Sequence, residues 1–213
     1  GNSFSKTALI KNNNQYFVRK YILKTEEAFD HYKKLRRQFD DLQRFHYYNE
    51  SLTPRILNFE DNDHAFYFDI EYLENYSQLD HFEPATALKI LERVIEKLND
   101  NVYCFKKQNS GPQFIDNFFD TKIYPKLELF EQECDTMHYL INQKEVTINN
   151  KKYLGLRNVL DKLNIYNFNT EYLSPIHGDL TLENILYNDN FKDFKLIDLD
   201  GSRYVDTFYF DLG

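Results

Sequence analysis

Residues 176–201 read IHGDLTLENILYNDNFKDFKLIDLDG, and this stretch decides the fold. A short turn carries His177, Gly178 and Asp179, and Asn184 follows five residues after Asp179. The apolar run Ile185, Leu186, Tyr187 predicts a strand. A polar turn from Asn188 to Asp193 follows, and Phe194 to Ile197 predicts a second strand that ends on Asp198. Two strands joined by a tight turn lie antiparallel, so the start of one sits beside the end of the other. Asn184 enters the first strand and Asp198 leaves the second, so their side chains should converge. An amide oxygen and a carboxylate at one point, with the Asp179 carboxylate beside them, make a hard oxygen site suited to Mg²⁺ and phosphate.

This pattern resembles the catalytic core of the protein-kinase-like fold, in which an Asp, four spacer residues, an Asn and a later metal-binding Asp occur in that order. Here H-G-D stands in place of H-R-D, and I-D-L-D-G in place of D-F-G. The H-G-D-x-x-x-x-N form is similar to the aminoglycoside phosphotransferase and choline kinase-like family, a bacterial small-molecule kinase branch. The resemblance implies an α+β chain with a two-lobed protein-kinase-like fold. A β-rich N-lobe, a nucleotide-binding sheet plus one long helix, would cover residues 1–73, with a hinge at about 70–73. A mainly helical C-lobe would cover 74–213 and carry the catalytic loop and metal-binding hairpin. Family members continue past the Asp211-Leu212 element, so the C-lobe reads as truncated.

The same resemblance implies ATP and Mg²⁺ as cofactors. The γ-phosphoryl group would pass to a hydroxyl of a small-molecule acceptor: a sugar, an amino-alcohol such as choline, or a surface-polysaccharide precursor. The H-G-D form lacks the Arg with which phosphorylation-controlled protein kinases sense their activation loop, which argues against a protein acceptor. The acceptor pocket would draw on residues 105–175, where no motif is readable.

Composition allows this reading. The 213 residues suffice for two small lobes or one larger domain. A net charge of −8 argues against general nucleic-acid or anionic-membrane binding. No apolar run is long enough for a membrane span and no signal-peptide pattern opens the chain, so a cytoplasmic protein without membrane insertion is expected. The cysteines, Cys104 and Cys134, have neither metal nor redox spacing and read as free thiols in a reducing compartment. Abundant Tyr, Phe and Asn with no Trp read as AT-rich bacterial codon usage.

Along the chain, residues 7–11 and 15–23 predict two strands around Asn12-Asn13-Asn14. Thr25 is placed to cap a long helix, with Glu26 and Glu27 in its first turn. Phe29, Tyr32, Leu35, Phe39 and Leu42 give that helix one apolar face to about Phe45. After Pro54, residues 55–60 and 65–72 predict another strand pair. Ala87, Leu88, Leu91, Val94, Ile95 and Leu98 form a helical stripe from Pro84 onward. Further helices are expected over about 114–140 and 156–165, with loops at 106–113 and 142–153.

Within the resemblance, Asp179 orients the acceptor hydroxyl and accepts its proton. Asn184 and Asp198 bind the metal. Asp200, two residues on, faces the same side in an extended segment and either joins the metal or caps a turn. His177 and Asp211 give structural support to the catalytic loop. The segment Phe17-Val18-Arg19-Lys20-Tyr21 resembles a V-A-I-K element and puts Lys20, rather than Arg19, on the phosphates. Ser3 and Ser5 would help to cradle phosphate, and the backbone at Glu71 and Leu73 would meet adenine. The family's Glu in the following helix has no clean counterpart; Gln38 stands at about its distance, and Asp41 or an early Glu could substitute. That departure, a glycine-poor phosphate loop and the shortened C-lobe motivate an alternative: a nucleotide-binding pseudokinase or scaffold without turnover.

Overall fold

The computed structural model describes residues 4–13, 15–108, 119–163, 172–190, 192–200 and 208–212. It is a mixed α and β structure with two compact units, 1–107 with 174–213, and 108–173.

In the larger unit, β1 (Lys6–Asn12) and β2 (Gln15–Leu23) form the expected hairpin. A 20-residue helix, α1 (Phe29–Tyr48), follows. Next come β3 (Ile56–Asp61) and β4 (Ala65–Glu71), which complete an antiparallel sheet of order β1-β2-β4-β3. The turn between β3 and β4 is closed by Asn62, whose Oδ1 accepts from the backbone of His64 at 2.9 Å and of Ala65 at 3.0 Å. Side chains alternate across the sheet, so Val18, Lys20 and Ile22 share one face with Phe66, Phe68 and Ile70 opposite them. That face packs with Leu35, Phe39 and Leu42 of α1 in the core.

Two details depart from the sequence reading. Thr25 caps a turn before the helix, accepting from the Ala28 N–H at 3.3 Å, and α1 begins only at Phe29. Phe29 is also exposed, with the Lys33 ammonium 4.1 Å over its ring.

The unit continues through the short strand β5 (Ser77–Gln78) and α2 (Pro84–Leu98). Ala87, Ile90, Val94 and Leu98 are its buried face; Leu88, one of the predicted stripe, is exposed. The predicted hairpin is present as β8 (Ile185–Asn188) and β9 (Asp193–Leu196), with β5 on its other edge. Ile185 stands opposite Leu196, which sets the strand ends side by side. One core cluster runs from Ile22, Phe66 and Phe39 through Val94 and Leu98 to Ile176, Ile185 and Leu196. The boundary expected at residues 73 and 74 therefore does not divide the core.

The smaller unit holds α3 (Tyr124–Glu133), α4 (Asp135–Asn142), the hairpin β6 (Glu145–Ile148) and β7 (Lys151–Leu154), and α5 (Leu156–Lys162). Residues 142–153, expected as a loop, thus form a hairpin. Its turn residues Asn149 and Asn150 both take positive φ, 50° and 61°, which suits a two-residue turn twisted like its strands. Arg157 clamps the helices together, donating from Nη2 to Glu131 Oε2 at 2.6 Å and from Nε to Asn142 Oδ1 at 2.8 Å.

Phe39 is fully buried against Phe59, Phe66 and Phe68, with ring centroids 4.8 to 5.8 Å away. Phe39→Ala should lower the unfolding free energy by about 3–5 kcal/mol, read by urea denaturation.

Candidate active site

The site is assembled where the chain leaves β9. Backbone groups at a buried strand end must find partners. Leu196 N–H donates to Leu52 O at 2.8 Å, and Ile197 N–H donates to Asn184 O at 3.0 Å. The ring Nε2 of His177 lies 2.9 Å from Ile197 O, and Asp200 N–H donates to His177 O at 2.8 Å. Asp198 sits between these anchors at φ 58°, a left-handed conformation that Asp tolerates better than most residues. Gly178, at φ 85°, makes the turn before Asp179, where a side chain would be strained by about 1–2 kcal/mol.

Asp179 is exposed at the surface, and Asn184 holds it. The Asn184 Nδ2 donates to Asp179 O at 2.9 Å and to its Oδ2 at 3.1 Å. One hydrogen-bonded chain thus links Asp179, Asn184 and the residue before Asp198.

Asp211, in the four-residue helix α6 (Tyr209–Leu212), braces the same turn from beneath. Its buried carboxylate accepts from the His177 N–H at 2.7 Å, the Gly178 N–H at 2.8 Å and the Tyr103 hydroxyl at 2.8 Å. Burial raises the Asp211 carboxyl above the ordinary carboxylate range, and the two backbone donors and Tyr103 oppose that. His177 is wholly buried. Burial pulls its imidazole down to about 4, against the hydrogen bond to Ile197 O. The ring is neutral at physiological pH and ties the loop together.

Lys20 comes to this point from β2 and forms an ion pair with Asp198. Arg19 points to the other face of the sheet. It forks onto Asp69, directly opposite in register, at 2.7 and 2.8 Å, and lies 4.0 Å over the Tyr67 ring. Strand alternation therefore puts Lys20, not Arg19, beside Asp198. Burial lowers the Lys20 ammonium to about 8, and nearby Lys34 adds to this, while contact with Asp198 favours the charged form.

A small cleft, partly open to solvent, lies against this pair. Phe68 and Ile70 of β4, Leu42 of α1, Pro54 and Leu199 form its apolar wall; its polar side chains are Lys20, Gln38 and Asp198. Gln38 therefore stands in the cleft as its distance from Lys20 suggested, as a neutral amide. Asp41 lies elsewhere on α1, buried, 3.1 Å from Arg44.

The remaining candidates are not brought together here. Glu71 and Leu73 do not line the cleft, and the Glu71 carboxylate is held by Arg55 at 2.8 Å. Ser5 is half-buried ahead of β1 and also outside the cleft lining, while Ser3 lies outside the described residues. Asp198 takes φ 58°, so the segment from Asp198 to Asp200 is not extended, and the Asp200 N–H donates to His177 O at 2.8 Å.

Among the described residues, no three or more His, Cys, Asp or Glu side chains are placed to hold a metal ion by themselves. A carboxylate such as that of Asp198 and an amide oxygen such as that of Asn184 are donor types that a hard cation takes, with its other ligands from phosphate and water.

Two outcomes follow from the buried groups. His177 is neutral when folded, so its contribution is fully present above its unfolded pKa near 6.5 and is lost as pH falls toward 4. Stability should fall by about 1.4 kcal/mol per pH unit in that window, and His177→Gln should remove this share of the slope in denaturation measured at successive pH values. Asp211→Ala leaves three buried donors without their acceptor and should cost about 3–5 kcal/mol, against about 1 kcal/mol for Tyr103→Phe, compared by chemical denaturation. No protein-family model matches the chain, and no curated protein matches it.

Proposed function

We propose that the protein is an ATP- and Mg²⁺-dependent phosphotransferase of the protein-kinase-like fold, moving the γ-phosphoryl group to a hydroxyl of a small molecule. The observation that carries this reading is the bonded chain from Asp179 through Asn184 to the segment bearing Asp198, with Lys20 on Asp198. A structural domain has no need to tie an exposed carboxylate through an amide to the strand end that carries a second carboxylate, and to set a largely buried ammonium on that second carboxylate.

The chemistry follows from the environments. Asp179 faces solvent with its carboxylate fixed by Asn184, so it can hold an acceptor hydroxyl and take its proton as the oxygen bonds to the γ-phosphorus. The bond from that phosphorus to the β-bridging oxygen breaks, and ADP leaves. Asp198 and Asn184 would hold Mg²⁺, which supplies charge neutralisation on the phosphates when bound. Lys20 would reach the phosphate oxygens from the sheet. Phe68, Ile70 and Leu42 offer the apolar wall against which a base can rest. Positioning dominates, because the transferred group needs little covalent help.

Gln38 favours a second reading, a nucleotide-binding protein without turnover, since among the described residues the cleft lacks an acid to hold Lys20 apart from Asp198. Turnover separates the two. ADP release should be measured with Mg²⁺ and ATP over a panel of amino-alcohols and sugars. Phosphotransfer predicts an acceptor-dependent rate that Asp179→Ala lowers by at least about a hundredfold. A Mg·ATP-dependent rise in Tm without any such rate supports the second reading, and no rise rejects both.

A further inference from the structure

We propose that the Lys20–Asp198 ion pair closes the cleft to either ligand alone, so that divalent metal and nucleotide phosphate are taken up together. This rests on the phosphotransferase reading and adds to it a rule for binding. Among the described residues lining the cleft, only Lys20 and Asp198 carry charge, and they neutralise each other. The third polar group, Gln38, is neutral and cannot replace a carboxylate as the partner of the ammonium. Lys20 is the more enclosed half of the pair, with 16% of its side chain exposed against 40% for Asp198.

A metal ion arriving alone meets a carboxylate already engaged by an ammonium. Displacing Lys20 would strand a buried cation with no second anion among the described residues of the cleft, which is costly. Phosphate arriving alone must draw Lys20 away and leaves Asp198 facing like charge. When both arrive, Lys20 transfers to phosphate and Asp198 to metal, and neither charge is stranded. Such coupling is reciprocal, and typical values span about 5- to 150-fold.

The test measures Mn²⁺ binding to the full chain without nucleotide, from the free-ion electron paramagnetic resonance signal. Lys20→Met removes the competing ammonium. Gln38→Glu gives Lys20 a second carboxylate at nearly constant volume, and it keeps the test readable if Lys20→Met does not fold. Both variants should bind Mn²⁺ alone at least about tenfold more tightly than the unaltered chain. A non-hydrolysable ATP analogue should then tighten Mn²⁺ binding less in Gln38→Glu than in the unaltered chain. Chelation of the metal by the analogue is common to both, so that difference isolates the ion pair. Equal Mn²⁺ affinity in all three chains, with analogue binding intact, overturns the proposal and leaves the phosphotransferase reading standing. Failure to bind the analogue with or without metal overturns that reading and the proposal together.

Discussion

The backbone of residues 196–200 is the constraint on which the rest of the larger unit turns. A chain leaving a strand into a buried place loses its ladder partners and must find others. Here they come from three separate segments: Leu52 before β3, Asn184 at the start of β8, and His177 in the preceding turn. Each bond closes a loop of different length, and together they leave Asp198 little freedom. The left-handed backbone at Asp198 is a local cost held in place by those neighbours.

Environment also divides the carboxylates. Asp211 and Asp179 lie on two sides of one turn, yet the first is buried under two backbone N–H groups and a tyrosine hydroxyl while the second faces solvent. A buried, fully bonded carboxylate fixes geometry; an exposed one beside a single amide donor can still meet a substrate. His177 belongs with Asp211. Its ring, neutral and enclosed, accounts for a buried histidine without any part in proton transfer.

Much of this was legible in the sequence because it is local. The hairpin β8–β9 follows from two apolar runs around a polar turn, and α1 from its three- and four-residue apolar steps. Lys20 over Arg19 follows from strand alternation once Val18 is assigned to the core. What was missed depends on distant contacts or on turn chemistry. Phe29 and Leu88 have the right period but lie where the packed face ends. The Asn149-Asn150 turn signal follows the β-branched run Val146-Thr147-Ile148, but Lys151 and Lys152 after it hide the second short strand in a polar stretch. The left-handed turn at Asp198 has no signature in the residue order, because the anchors on either side of it come from His177 and Asn184.

The fit of sheet to hairpin has an electrostatic logic as well. Two adjacent cations on β2 are treated differently by the register. Arg19 has Asp69 opposite it, so its charge is met within the sheet. Lys20 has Phe68 opposite it, on the apolar face, and no sheet residue can serve. The helix across that face offers Gln38, an amide. The counter-charge must therefore come from 178 positions away, where the hairpin delivers Asp198. An unpaired ammonium on this face would be costly enough to lose its proton or pull the strand outward. The neutral residue at 38 thus makes the position of the hairpin a condition for the charge on β2, and it binds the two halves of the cleft into one electrostatic unit.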